Sequence, residues 1–137
     1  MILKCIANKG SDLQPYQKGL FYTTETRFDL IIGKSYEAYA MALISASLTV
    51  LVADEYDNPA WLPLELFEVE DSRLPADWEF AKGEAAINTP MPGELVCQAR
   101  WGYKEVVRHD AHYYGLEERD PEALNAFNEE RARRRRD

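Results

Sequence analysis

The chain has 137 residues, 46% of them hydrophobic and 29% charged, and a formal net charge of −8 at pH 7. That length suits one domain with at most an appendage, and the apolar content excludes general disorder. No run reaches the roughly 18 continuous apolar residues a membrane helix needs. The opening MILKCIANKG lacks the basic leader, apolar stretch and cleavage site of a secretory signal. A cytoplasmic protein with no membrane contact is therefore expected.

In chain order, ILKCIAN (2–8) alternates and predicts a first strand. Residues 9–27, with Gly10, Pro15 and Gly19, hold no period and predict a long loop, a feature often tied to function. Gly33 and Lys34 mark a turn. From Ser35 the residues alternate between two faces, and the apolar run AYAMALISASLTVLVA reads as two strands. YDNP is a turn, with Asp57 and Asn58 at turn positions and Pro59 fixing φ. AWLP is a short strand, and LELFEVED begins as a one-turn connector and ends as a strand. DWEFA (77–81) adds a strand, KGEAAINTPMPGE (82–94) a loop, and LVCQARWGY a last strand. YKEVVRHDAHYYGLEERD predicts a short helix ending near Gly115. The final helix is the clearest element: Asp120 caps it, Pro121 takes its first position, and arginines crowd its negative end. Leu124 and Phe127 give it an apolar stripe.

Charge is unevenly spread. Residues 131–137, RARRRRD, carry five arginines and one aspartate, leaving 11 basic and 23 acidic residues, a net −12, on residues 1–130. Such a body repels nucleic acid and attracts basic proteins. The arginine run has no basic face or interleaved aromatics to support nucleic-acid binding; it reads as a frayed, solvated tail, with folding back onto the acidic body as the alternative.

The residues suggest no cofactor, metal or catalytic group. His109 and His112 supply two ligands at most, with no Cys or further His to complete a site, and read as solvent-facing helix residues. Cys5 and Cys97 fall in apolar segments and read as buried free thiols, with a disulfide as the alternative. The segment 54–79 sets Asp54, Glu55, Asp57, Glu65, Glu68, Glu70, Asp71, Asp77 and Glu79 against Arg73 alone. The acids alternate with apolar residues, as on the outer face of strands, and read first as a solvated surface, second as a binding face for a basic partner and last as catalytic carboxylates. Tyr16, Tyr22 and Tyr56 fall in loops, while Trp61 and Phe67 suit the core or its margin. Loop aromatics beside carboxylates are what an interface uses, as anchors with charged steering at the rim, with ordinary loop packing as the equal alternative.

The succession LIIGKSYEAYA, an apolar strand, and DEYDNPAWLPLELFEVED resembles small bacterial and phage proteins built on a Src-homology-3-like barrel. Their pattern runs roughly L-x-x-G-K-x-Y, hairpin, acidic turn, W-x-P, L-F-E, and here covers about residues 1–71. The resemblance implies a mainly β fold: a small antiparallel Src-homology-3-like β-barrel with a C-terminal α-helix. Residues 1–100 would form the barrel domain with its long 9–27 loop, and 101–137 a helical appendage with a basic tail. The Tyr-rich loop and the arginine end lie outside that pattern, so capture of proline-rich peptides is not carried over. With ILKCIANKG in front and WGYKE…YGLEERDPEAL behind, the chain is similar to small bacterial proteins of toxin–immunity and defence loci.

The resulting expectation is a non-enzymatic binding module, an immunity protein occluding a basic partner such as a nuclease toxin. Its binding residues would be Asp54, Glu55, Tyr56, Asp57, Trp61, Glu65, Glu68, Tyr16 and Tyr22, with carboxylates mimicking phosphates. The alternative is a phage or host adaptor of the same fold acting in defence or regulation. The chain would be a monomer, or a homodimer through a strand edge.

Overall fold

The structure, a computed structural model, describes residues 1–13, 23–45, 47–87 and 95–136. Among these the chain forms eight strands: β1 (Ile2–Cys5), β2 (Ser35–Glu37), β3 (Ala40–Ile44), β4 (Ser47–Ala53), β5 (Pro59–Pro63), β6 (Phe67–Asp71), β7 (Glu79–Ile87) and β8 (Leu95–Gly102). Three helices follow: α1 (Lys104–Arg108), α2 (Asp110–Glu118) and α3 (Pro121–Arg136). The strands build two antiparallel sheets, a small one ordered β2-β1-β6 and a larger one ordered β5-β4-β3-β8-β7.

Two corners join the sheets. At the first, Ala38 N donates to Met1 O (3.0 Å) in the small sheet, and the next residue, Tyr39, donates to Leu51 O (2.8 Å) in the large one. At the second, β5 ends at Pro63, a 3-10 turn (Leu64–Leu66) reverses the chain, and β6 returns beside β1. The turn 64–66 and β2 lie against β4, so the two sheets enclose one core. Leu3, Cys5, Val50, Val52 and Leu66 are fully buried there. Cys5 and Cys97 are both buried free thiols.

The helices complete the same hydrophobic cluster: Val106, Tyr113, Leu116 and Phe127 belong to it together with Tyr39 and Leu51. Arg100 in β8 ties helix to sheet. Its guanidinium donates to Val106 O (3.1 Å) and Asp110 Oδ1 (2.5 Å) and lies 4.8 Å over the Tyr113 ring. No described helix is long and apolar enough to cross a membrane.

Four expectations are corrected. The strand expected over 77–81 starts at Glu79 and runs on to Ile87, taking in residues placed in the 82–94 loop; Lys82 still pairs with Ala99, and a register shift before Ala85 absorbs Gly83 and Glu84 as a bulge, where poor strand formers are tolerated. The helix expected to stop near Gly115 continues to Glu118. Gly115 is no terminator: a Cβ there would lie 2.8 Å from Ala123 Cβ, so glycine lets α2 and α3 approach. The chain reverses instead at Arg119, in the left-handed region (φ 59). The buried stripe of α3 runs through Ala123, Phe127 and Glu130 rather than Leu124 and Phe127. Asp120 caps α3 as expected, with Oδ2 accepting from Ala123 N at 3.3 Å.

The fourth concerns His112, which is buried, not solvent-facing. Its Nε2 lies 2.6 Å from Tyr103 Oη. Burial lowers the imidazole's pKa and raises that of the phenol. Tyr103 therefore keeps its proton and donates to a neutral ring. Glu105 nearby opposes the shift in His112 and His109 reinforces it. The unfolded chain binds this proton more readily than the folded one, so stability is full above the unfolded histidine pKa of about 6.5 and falls as pH drops below it. Urea midpoints at pH 7.5 and 5.5 should show this loss, at no more than about 1.4 kcal/mol per pH unit for one proton. His112→Gln, which keeps an acceptor for Tyr103, should flatten it; an unchanged slope would remove His112 as the cause.

Candidate functional site

The turn between β4 and β5 is built by its own side chains. Asp54 N donates to Asn58 O (2.9 Å), and Asp54 Oδ1 accepts from Tyr56 N (2.9 Å) and Asn58 N (3.0 Å). This is why Asp54 is buried rather than presented to a partner: a short carboxylate satisfies the turn's own backbone donors. Asp57 occupies the left-handed region (φ 60), which an aspartate at a turn tolerates.

Glu55 couples this turn to a second one. Its Oε2 accepts from Lys34 Nζ (2.6 Å) and Tyr36 Oη (2.7 Å). Tyr36 Oη in turn accepts from Ile31 N (2.8 Å), and Glu55 N donates to Asp29 O (2.9 Å). Behind this pair of turns, Asn8 Nδ2 donates to Leu30 O (3.1 Å) and Phe28 N to Asn8 O (2.8 Å). Burial, reinforced by the neighbouring Glu55 carboxylate, pushes the Tyr36 phenol up to about 12. The hydrogen bonds from Lys34 and Tyr36 hold the Glu55 carboxyl below its usual range. At neutral pH phenol, ammonium and carboxylate form one fixed donor–acceptor array.

On these two clamped turns three large apolar side chains face solvent: Ile31 (52% exposed), Ile32 (57%) and Tyr56 (73%). Beside them a cleft of about 300 Å³ is lined by Asn8, Arg27, Phe28, Asp29, Leu30, Glu55 and Tyr56. Ile31, Ile32, Lys34 and Tyr36 were not among the expected binding residues. The available signal was their adjacency: two isoleucines directly before Gly33-Lys34 fall in a turn, where alternation buries neither.

Trp61, Glu65 and Glu68 do not share these two turns. Trp61 is half-buried, its ring 5.5 Å from Tyr113 of α2, beside a cleft formed with Leu116, Glu117 and Arg119. Glu65 is exposed on the 3-10 turn, across the length of β5 from Asp57, a span of roughly 17 Å for five residues. Glu68 is exposed on β6, in register with Lys4 of β1. Tyr16 and Tyr22 lie outside the described residues.

Much of the acidic segment is paired within the chain. Asp57 meets Arg131 (3.0 Å), Asp71 meets Arg73 (2.6 Å) and Glu79 meets Arg108 (2.6 Å), while Asp77 meets Arg133 (2.7 Å) and Arg134 (2.9 Å). Glu70 accepts from Ser35 Oγ (2.7 Å). The expected solvated tail is thereby corrected for Arg131, Arg133 and Arg134, which lie against the acidic body as the second reading of that segment had it. Among the described residues no group of three or more His, Cys, Asp or Glu is placed to hold a metal ion.

No family model matches the chain, and no curated protein or solved structure does either.

Proposed function

We propose that the chain is a non-enzymatic protein-binding module, most concretely an immunity-type inhibitor that occludes a basic toxin, and that Ile2–Asp71 form a Src-homology-3-like unit. Support for the unit is its connectivity. A first strand pairs with the last, a long connection follows it, and a three-strand meander ends in a 3-10 turn. The strands β7 and β8 extend the meander along β3. The binding reading rests on one observation: Ile31, Ile32 and Tyr56 stay more than half exposed on two turns that Glu55 locks together. A rigid apolar patch rimmed by charge is what a partner surface requires, because little ordering entropy is lost on binding. Net charge would steer a basic partner toward it.

The test is capture from the source cell with wild-type and Ile32→Asp/Tyr56→Ala protein as baits, at low and moderate salt. A single basic partner should bind wild type and weaken by at least about 100-fold with the variant, since anchors of this kind are worth about 2 kcal/mol or more each. Glu68→Gln should alter mainly its salt dependence. A partner that ignores the double substitution would overturn this face.

A further inference from the structure

The end of α3 lies between two acidic turns. On one side Asp57, at the tip of the β4–β5 turn, takes Arg131 at 3.0 Å; on the other Asp77 takes Arg133 at 2.7 Å and Arg134 at 2.9 Å. Both turns are closed by backbone hydrogen bonds, Asp57 N to Asp54 O (2.9 Å) and Trp78 N to Pro75 O (3.1 Å), so the main chain that carries each carboxylate is fixed. Between the turns, Arg131 lies 5.8 Å over the Phe127 ring and bonds the Tyr39 hydroxyl. The occupant's own donors are not all met in the cradle. Arg131 Nε and Arg134 Nη2 are buried with no hydrogen-bond partner among the described residues. Buried donors left unsatisfied weaken an occupant relative to one that pairs them.

We propose that the cradle between Asp57 and Asp77 is a binding surface for an arginine-bearing helical segment of another protein, and that residues 131–136 are its resident competitor. The structure carries this chemistry in cis: carboxylates on two separate turns take guanidinium groups of one helix, Asp57 that of Arg131 and Asp77 those of Arg133 and Arg134, by charge-assisted hydrogen bonds. An incoming segment must displace α3's last turns, while Phe127, fully buried, keeps the rest of the helix seated. The site is therefore masked at rest, and its apparent affinity falls with the fraction of molecules in which the cis helix occupies it.

The probe is an acetylated, amidated and fluorophore-labelled peptide of the chain's own residues 128–136, NEERARRRR, followed by anisotropy at 50 mM salt. Because the ligand is this chain's segment, the result stands whether or not Ile32 and Tyr56 bind a partner. The full-length variant Glu130→Gln/Arg131→Gln/Arg133→Gln/Arg134→Gln empties the cradle without leaving Glu130 charged and buried. It should bind the peptide about tenfold tighter than wild type, the factor expected if the cis helix is docked in about nine molecules of ten. Adding Asp57→Asn/Asp77→Asn should abolish the gain, and adding Glu68→Gln/Glu70→Gln should leave it. Equal binding by wild type and variant, a gain that survives loss of both aspartates, or an equal loss on removing Glu68 and Glu70 would overturn the proposal. Should the fourfold variant lose its circular dichroism, hydrogen exchange of wild type decides. Saturating peptide should lower amide protection of Arg131–Arg135 at least about threefold while leaving Phe127 unchanged, and unaltered protection would overturn it.

Discussion

Phe127→Ala should lower the stability of the whole chain by about 3–5 kcal/mol. The ring is fully buried, meets Tyr39 edge-on at 5.3 Å and carries the Arg131 guanidinium 5.8 Å from its centroid. Truncation removes its apolar contacts and leaves a cavity that two sheets and a helix cannot readily collapse into. A domain of this size holds about 5–15 kcal/mol in total, so the loss is a large part of it. The transition temperature should drop by about 10–15 °C. Phe127→Leu keeps most of the buried volume and should cost under about 1.5 kcal/mol. One cooperative transition, shifted as a unit, is expected by both circular dichroism and Trp fluorescence, because α3 shares a cluster with Tyr39 and Leu51. Two separated transitions, or an unchanged midpoint, would show that residues 121–136 fold apart from the sheets.

What the sequence discloses is whatever depends on near neighbours. Alternation over ILKC and AMALI reports strands because each half-buried strand carries its period locally, and SLTVLVA reports one through its run of β-formers, buried at four successive positions. Asp120 and Pro121 report a helix start because a cap acts within three residues. The misread positions depend on distant partners. Gly115 looks like a stop until Ala123 is laid against it. His112 looks solvated until Tyr103 folds over it. The acids of 54–79 look like an open face until the chain brings Arg131 and Arg133 across separations of 74 and 56 residues to Asp57 and Asp77. The candidate face behaves the same way. Tyr56 and Glu55 are legible as a polar turn with an aromatic, but their union with Ile31, Ile32 and Lys34 needs the Glu55 hydrogen bonds, and those join residues some twenty positions apart.

Glu130→Ala should be the second costly change, at about 2–4 kcal/mol, and for a reason opposite to that of Phe127. The buried stripe of α3 begins apolar, at Ala123 and Phe127, and ends in charge: the side chains of Glu130 and Arg134 are 7% and 9% exposed and meet at 2.6 Å, with Arg133 also on Glu130 at 2.8 Å. Breaking a buried pair strands its partner, which has given up water without compensation. Asp77 offsets part of that for Arg134, which places the expected cost below that of a fully isolated charge. Replacing both members is different. Glu130→Leu/Arg134→Met fills similar volume and removes two desolvated charges, and it should lie within about 1 kcal/mol of wild type or above it. Urea midpoints of wild type and the two variants separate the cases. A Glu130→Ala cost below about 1 kcal/mol would mean that the pair is solvated and contributes little. If instead the apolar pair proves as stable as wild type, the charges at this end of α3 are not required for folding, and a role in gripping Asp57 and Asp77 becomes the reason to carry arginines there at all.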